Sequence, residues 1–299
     1  MSEAVARDPY AGLTSQQVAN WYGLRARGAR PKLGEYARQV WRYRHFITTF
    51  ASARVTSLYS KALLGRLWQA ITPLVNALVY YLVFGVVLNT RANIENFTGY
   101  LVIGVFLFGF TQSIALAGVN SVSGNLNLIR SLQFPRASLP LAAALTQIKQ
   151  MITAVGVLVA IIVVSGEQFE TTWLLLLPVL ILQVIFSVGL ALGLARLGSN
   201  TSDVGQLMPF VMRTWLYASG VFYGVDTFDK YLPPIVAEIL KANPLLVYIQ
   251  LARDALLDTP LTGGSQPVVL WALAVGWAIV GGFAGFAFFW RGEQDYGRA

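Results

Sequence analysis

The chain has no cysteine, one histidine (His45) and only 14 acidic residues among 299. Disulfides, thiolate metal sites and cysteine nucleophiles are therefore excluded, and a lone histidine cannot build a multi-histidine metal centre. Neither His-Glu-x-x-His nor Gly-x-Ser-x-Gly occurs, so the usual zinc-hydrolase and serine-hydrolase signatures are missing. There is also no Gly-x-x-x-x-Gly-Lys-Ser/Thr loop, hence no phosphate cradle of that type for ATP. The largest deficit is in charge. Charged residues make up 12% of the chain, against about 25% in an average soluble domain. Hydrophobic residues make up 56%.

What is present is long apolar runs. Six stand out, at 71–89, 98–118, 139–164, 173–196, 205–224 and 267–290. A helix needs roughly 20 residues to cross a bilayer at about 1.5 Å per residue. The sequence therefore predicts an all-α membrane protein with six transmembrane helices.

Positive charge is concentrated at one end. Residues 1–70 carry eleven of the 22 Lys and Arg against three acids. With the N-terminus inside, the inner segments hold sixteen Lys or Arg and the outer loops four (Arg91, Lys230, Lys241, Arg253). The positive-inside bias thus predicts cytosolic N- and C-termini. The net charge of +8 adjoins a hydrophobic span, which makes phospholipid headgroups, and not nucleic acid, the expected anionic partner.

Residues 1–32 read as a flexible cytosolic tail, with one short helix expected at Ser15–Tyr22. No apolar stretch precedes Arg25-Ala-Arg27-Gly-Ala-Arg30, so no cleavable leader is expected. In residues 33–70, Tyr36, Val40, Tyr43, Ile47 and Phe50 recur at helical spacing, with Arg38, Arg42 and His45 on the opposite side and Trp41 beside them. This predicts an amphipathic helix lying in the membrane interface. Between spans five and six, Pro233-Pro234 and Asn243-Pro244 break residues 226–257 into pieces too short to cross, which predicts a re-entrant pair of helices. Residues 291–299 are a second cytosolic tail.

Four stretches together resemble the membrane subunit of type-2 ABC exporters, in the branch that exports polysaccharides such as O-antigen, teichoic acid and mycobacterial galactan. They are Tyr59-Ser60-Lys61-Ala62-Leu63-Leu64-Gly65-Arg66-Leu67-Trp68 with Pro73-Leu74; Asn127-Leu128-Ile129-Arg130 with Phe134-Pro135-Arg136; Ser202-Asp203-Val204 leading to Ser219-Gly220-Val221-Phe222-Tyr223; and Asn243-Pro244-Leu245 with Arg253. The resemblance spans roughly residues 33–290. Two positions depart from the family pattern: Ser202 stands where Arg is frequent, and Gly220 where Pro is usual.

The resemblance implies a homodimer working with two copies of an ABC ATPase. ATP and Mg would be held by that partner, with no cofactor or metal in this chain and no catalytic residue. It implies that segment 121–138 couples to the ATPase, through Asn127, Leu128, Ile129, Leu132, Phe134 and Pro135, with Arg130 and Arg136 at the rim. It also implies a polyprenyl-diphosphate-linked glycan as cargo, galactan or O-antigen-like, crossing the bacterial plasma membrane. Sugar C–H faces stack on aromatic rings, which nominates Tyr80, Tyr81, Phe84, Trp215, Tyr217, Phe222 and Tyr223 as pathway residues. Lys149 and Arg213, charged positions within spans, are candidates for attracting the diphosphate, against the alternative that they reach to the interface. The readings that stay open are a type-2 permease for a lipid or a small-molecule drug, and a membrane enzyme of glycolipid synthesis. A secondary transporter is disfavoured because no Asp or Glu falls within the spans.

Overall fold

The computed structural model describes residues 31–60, 65–87, 96–258, 267–293 and 296, together with Thr14, Gln17 and Trp21. Most of the expected leader helix, the Lys61–Leu64 part of the first motif, residues 88–95 and 259–266, and most of 294–299 lie outside the described residues. Within them all regular elements are helical. Two helices, α1 (Leu33–Arg42) and α2 (Arg44–Tyr59), precede the bundle. Then come α3 (Trp68–Tyr80), continued by π-helical turns over Tyr81–Val87, and α4 (Phe97–Val119). A short α5 (Leu126–Ser131) leads into α6 (Ser138–Val164), α7 (Leu176–Asn200) and α8 (Asp203–Ala218). Three short helices follow, α9 (Asp226–Tyr231), α10 (Pro234–Lys241) and α11 (Pro244–Leu256), before the final α12 (Pro267–Arg291).

Among the described residues, five helical stretches are long and apolar enough to cross a bilayer: Ala70–Val87, Phe97–Val119, Ser138–Val164, Thr171–Asn200 and Pro267–Arg291. Each contains or closely matches a predicted span. Over the fifth predicted span, 205–224, the helix ends early: α8 stops at Ala218 after 16 residues, about 24 Å, and non-helical residues carry the chain on to Tyr223, whose carbonyl accepts from Tyr100 near the start of α4. The chain then leaves helical geometry at Gly220, whose φ of +59° suits a residue without a Cβ.

The pair α10 and α11 is bent by 68° and returns to the end it left. At its exit the Asp258 N–H donates to Glu167, in the α6–α7 connection (3.1 Å). At its tip the Ala242 carbonyl accepts from Trp277 Nε1 (2.8 Å), about 15 Å along α12 from Pro267. This is the re-entrant geometry expected from the two proline breaks. Pro at the first position of both helices begins each without wasting a hydrogen bond.

The amphipathic helix expected over 33–70 is present as two helices that meet at Tyr43, and the apolar side of α1 packs on the protein itself. Tyr36 and Val40 are buried with Val122, Ile129, Ala137, Leu139 and Phe289. Among the residues that α1 and the start of α2 leave exposed are Arg38, Trp41, Arg42 and His45.

The helices approach most closely along α7 and α12. A Cβ added at Gly285 would lie 1.9 Å from the Gly189 carbonyl oxygen, and one added at Gly189 would lie 2.1 Å from that of Gly281. Small residues are what allow two membrane helices to bring their backbones together, since lipid supplies no hydrophobic push. Between α4 and α7, Gln183 Nε2 donates to the Leu107 carbonyl (2.8 Å) and to Thr111 Oγ1 (3.0 Å). Thr111 also bonds Ser187 (2.9 Å).

Candidate functional site

Breaking a helix at membrane depth frees carbonyls that lipid cannot satisfy, so such a break survives only inside protein. The segment after α8 meets this condition. Ser219, Gly220, Val221, Phe222 and Val225 are buried, and one side chain collects their carbonyls. Arg253, fully buried on α11, donates Nη1 to Gly220 O (3.0 Å), Nη2 to Val221 O (3.1 Å), and Nε and Nη2 to Tyr100 O (3.2 and 3.1 Å). Its guanidinium lies over the Tyr100 ring, 3.3 Å from the centroid, and the Tyr100 hydroxyl donates to Tyr223 O (2.6 Å). A planar fork of five donors suits several carbonyls at once, which a lysine cannot match.

Asn243 does the same work one turn away. Its Nδ2 donates to Ala218 O (3.0 Å) and Ser219 Oγ (3.2 Å), while its Oδ1 accepts from Trp215 Nε1 (2.9 Å) and from Leu245 N–H (3.1 Å). One residue thus caps α11 and ties it to the end of α8.

This knot positions an aromatic cluster. Phe222 stacks on Phe84 (ring centroids 4.1 Å apart) and is tilted against Tyr80 (4.9 Å) and Tyr217 (5.6 Å). The Tyr223 hydroxyl donates to Tyr217 O, and its ring meets Phe228 edge-on (5.5 Å). Of the nominated pathway residues, Tyr80, Phe84, Tyr217 and Phe222 are therefore brought together, with Tyr223 and Trp215 adjoining. Tyr81 packs against the main core. The partners on the first span sit where α3 widens into π-helical turns, a geometry found mostly at functional sites.

The two charged candidates part company. Lys149 donates to Ser52 on α2 (2.5 Å), which directs it out of the bundle. Arg213 is exposed on α8.

At the opposite end, three separate stretches meet at Glu293. It accepts from the Tyr36 hydroxyl (2.5 Å) and from Arg136 N–H (3.1 Å), and the Arg136 guanidinium donates to its carbonyl. Tyr36 in turn accepts from Ala137 N–H (3.0 Å). Arg136, expected at the rim of a partner contact, is half-buried, with its guanidinium on the Glu293 backbone carbonyl. Within segment 121–138, Ile129 and Pro135 are buried, Leu128 and Phe134 are half-buried, and Phe134 lies against Phe46 (5.3 Å). Asn127, Arg130 and Leu132 face outward, Leu132 with 53% of its surface exposed.

Sequence reasoning singled out Arg253 and Asn243 only as motif positions and missed what they hold. The signal was there in part: an arginine within the apolar run Leu245–Leu257 has to spend its donors locally. Tyr36 with Glu293 had no such signal, because 257 residues separate them.

A bundle of apolar helices with a protein-shielded break and a re-entrant pair defines a multi-pass membrane protein. Comparison with known proteins makes the class specific. Residues 47–257 match the family model for ABC-2 type transporters, and the chain belongs to that family. It is similar to the O-antigen export system permease protein RfbA of Klebsiella pneumoniae, 26% identical over 204 residues, covering 68% of this chain and 76% of the relative. The protein of that name from Myxococcus xanthus is 25% identical over 191 residues (64% and 72% covered). The polysialic acid transport protein KpsM of Escherichia coli is 23% identical over 211 residues (70% and 80% covered).

Proposed function

We propose that this chain is the membrane permease of an ATP-driven exporter that moves a polyprenyl-diphosphate-linked polysaccharide across the bacterial plasma membrane. The observation that carries the reading is the aromatic cluster at the helix break, set in a chain whose relatives are named for O-antigen export and polysialic acid transport. Rings stack on the C–H faces of sugars without tight polar stops, so a long glycan can advance past them. The break supplies a shielded non-helical backbone at the depth where a passage has to open.

Two copies of the chain form the unit, each with one ABC ATPase subunit that binds ATP and Mg. Exposed apolar residues on α3 (Leu74, Leu78), on its π-helical continuation (Leu82) and on α8 (Leu207, Phe210) give a second copy a surface to meet. Both termini lie in the cytosol, in keeping with the arginine-rich leader. The ATPase meets the outward side of α5, at Asn127, Arg130 and Leu132, and its motion reaches the bundle through Arg136 and Glu293. Trp41, Arg38, Arg42 and His45 face the headgroup region. Galactan is the preferred cargo.

Depletion of the chain tests the reading. The expected result is accumulation of a completed lipid-linked glycan on the cytosolic leaflet, with its sugar composition identifying the cargo. Normal glycan export in depleted cells would remove the proposal.

A further inference from the structure

The bundle holds a second feature that the aromatic cluster does not use. A cavity of about 230 Å³ lies between α3, α4 and α6, near the middle of α4 and α6. Its floor is apolar and buried, formed by Leu107, Met151 and Leu158 among others. Its walls carry five neutral hydrogen-bonding side chains from three different helices: Thr72 and Asn76 on α3 and Ser113 on α4, exposed at its open side, and Gln147 and Gln150 on α6, half-buried. Trp68 stands at its edge, and the ring of Phe110 lines it.

The chemistry of this set is specific. Among the described residues no charged side chain lines the cavity, and Lys149, between the two glutamines in sequence, is held away by Ser52. None of the five polar side chains has a hydrogen-bond partner among the described residues. Elsewhere in the same bundle an amide on a crossing helix is paired, as Gln183 is to Leu107 and Thr111. Amides and hydroxyls left open at this depth cost free energy unless water or a polar ligand meets them. A phosphate would call for cationic donors and a metal for carboxylates. Neutral amides and hydroxyls beside aromatic rings match a neutral, hydroxyl-rich ring, which offers donors, acceptors and an apolar C–H face together.

We infer that the cavity walled by Thr72, Asn76, Ser113, Gln147 and Gln150 is a binding site for one neutral sugar residue, carried on a lipid or at the end of a glycan. The inference rests on the export reading for its biological meaning but not for its test. A sugar held here lies on the α5 side of the aromatic cluster, and so is engaged before the cluster on an outward path.

The full chain in lipid nanodiscs is titrated with n-octyl glucoside, octyl phosphocholine and octyl sulfate below their micellar concentrations, and the tryptophan fluorescence is followed. Octyl glucoside is expected to give a saturable change that disappears in Trp68→Phe. Its midpoint should weaken about tenfold in Gln147→Leu/Gln150→Leu, the loss of one or two hydrogen bonds, and similarly in Asn76→Leu. Apolar substitutions in a crossing helix leave insertion intact, and the size-exclusion profile checks this. Equal responses to the three headgroups, or an unchanged midpoint in both variants, would overturn the site. Methyl glucoside distinguishes a free sugar from a lipid-borne one: a response to both forms assigns the site to the glycan end, and a response only to the octyl form assigns it to a glycolipid. Selective sugar binding with normal glycan export in depleted cells would sink the export proposal and leave this site standing. Export loss without sugar selectivity would do the reverse.

Discussion

The two ends of the bundle solve one problem with opposite chemistry. At the re-entrant end the groups needing partners are carbonyls freed by a broken helix, and a buried cation, Arg253, gathers them. At the α5 end the group needing partners is a half-buried carboxylate, Glu293, and donors from α1 and from the segment just before α6 converge on it. The first knot joins α4, α11 and the break after α8, and is part of the core. The second joins both terminal segments to the connection that leads out of α5. The difference teaches that one end is built to hold a helix open, and the other to tie the two terminal segments to the bundle.

Breaking the first knot has the largest expected effect. Arg253→Leu leaves buried carbonyls without donors, and should cost about 3–5 kcal/mol, since hydrogen bonds from a charged donor contribute about 1.5–3 kcal/mol each. Thermal unfolding of the detergent-solubilised protein should show the drop, with Arg253→Lys intermediate because an ammonium lacks the planar fork. Asn243→Ala comes next. It removes a helix cap and the Trp215 partner, at about 1–2 kcal/mol, read by the same melt together with a change in Trp215 fluorescence.

Tyr36→Phe at the other end removes one hydrogen bond and should cost about 1 kcal/mol. A pH series sharpens this contrast. Burial is the main cause holding the Glu293 carboxyl above its ordinary range, while the hydrogen bonds from Tyr36 and Arg136 pull it back. The folded chain therefore binds this proton more readily than the unfolded one. Its contribution is fully present below the ordinary carboxylate pKa and declines as pH rises through the raised folded value. The melting temperature of the native chain should thus fall across that window relative to Glu293→Gln, whose profile lacks the step. Parallel profiles would contradict the assignment. Least in stability, and largest in coupling, is Arg130→Glu with Leu132→Ala. On an exposed face it should change stability by less than about 0.5 kcal/mol, yet abolish co-purification of the ATPase subunit. Retained binding would move the contact away from α5.

Much of this architecture was readable because lipid makes demands that sequence reports directly. Apolar runs such as 98–118 and 267–290 leave a chain few options other than a crossing helix, and Pro234 and Pro244 placed the two re-entrant helices within a residue or so. The fifth span was overextended because Ser219 to Gly224 is as apolar as a helix end, and only the left-handed Gly220 with Arg253 reveals the break. Composition could not say that Tyr36 and Val40 face protein, since an amphipathic stripe looks the same against lipid or a bundle. The aromatic cluster was half visible: Tyr80, Phe84 and Phe222 stood out by type, while their meeting depends on the π-helical turns and on the knot. Gln147 and Gln150 were conspicuous beside Lys149, but the structure separates the amides from the charge.

The most direct test of the whole account is reconstitution of the chain with its ABC ATPase subunit in proteoliposomes loaded with a fluorescent lipid-linked glycan. Accessibility of the glycan to a glycosidase on the far side of the bilayer is then measured with and without ATP. The account predicts ATP-dependent exposure that is lost in Phe222→Ala at normal protein abundance. Exposure that proceeds equally without ATP, or that is indifferent to an intact aromatic cluster, would contradict it.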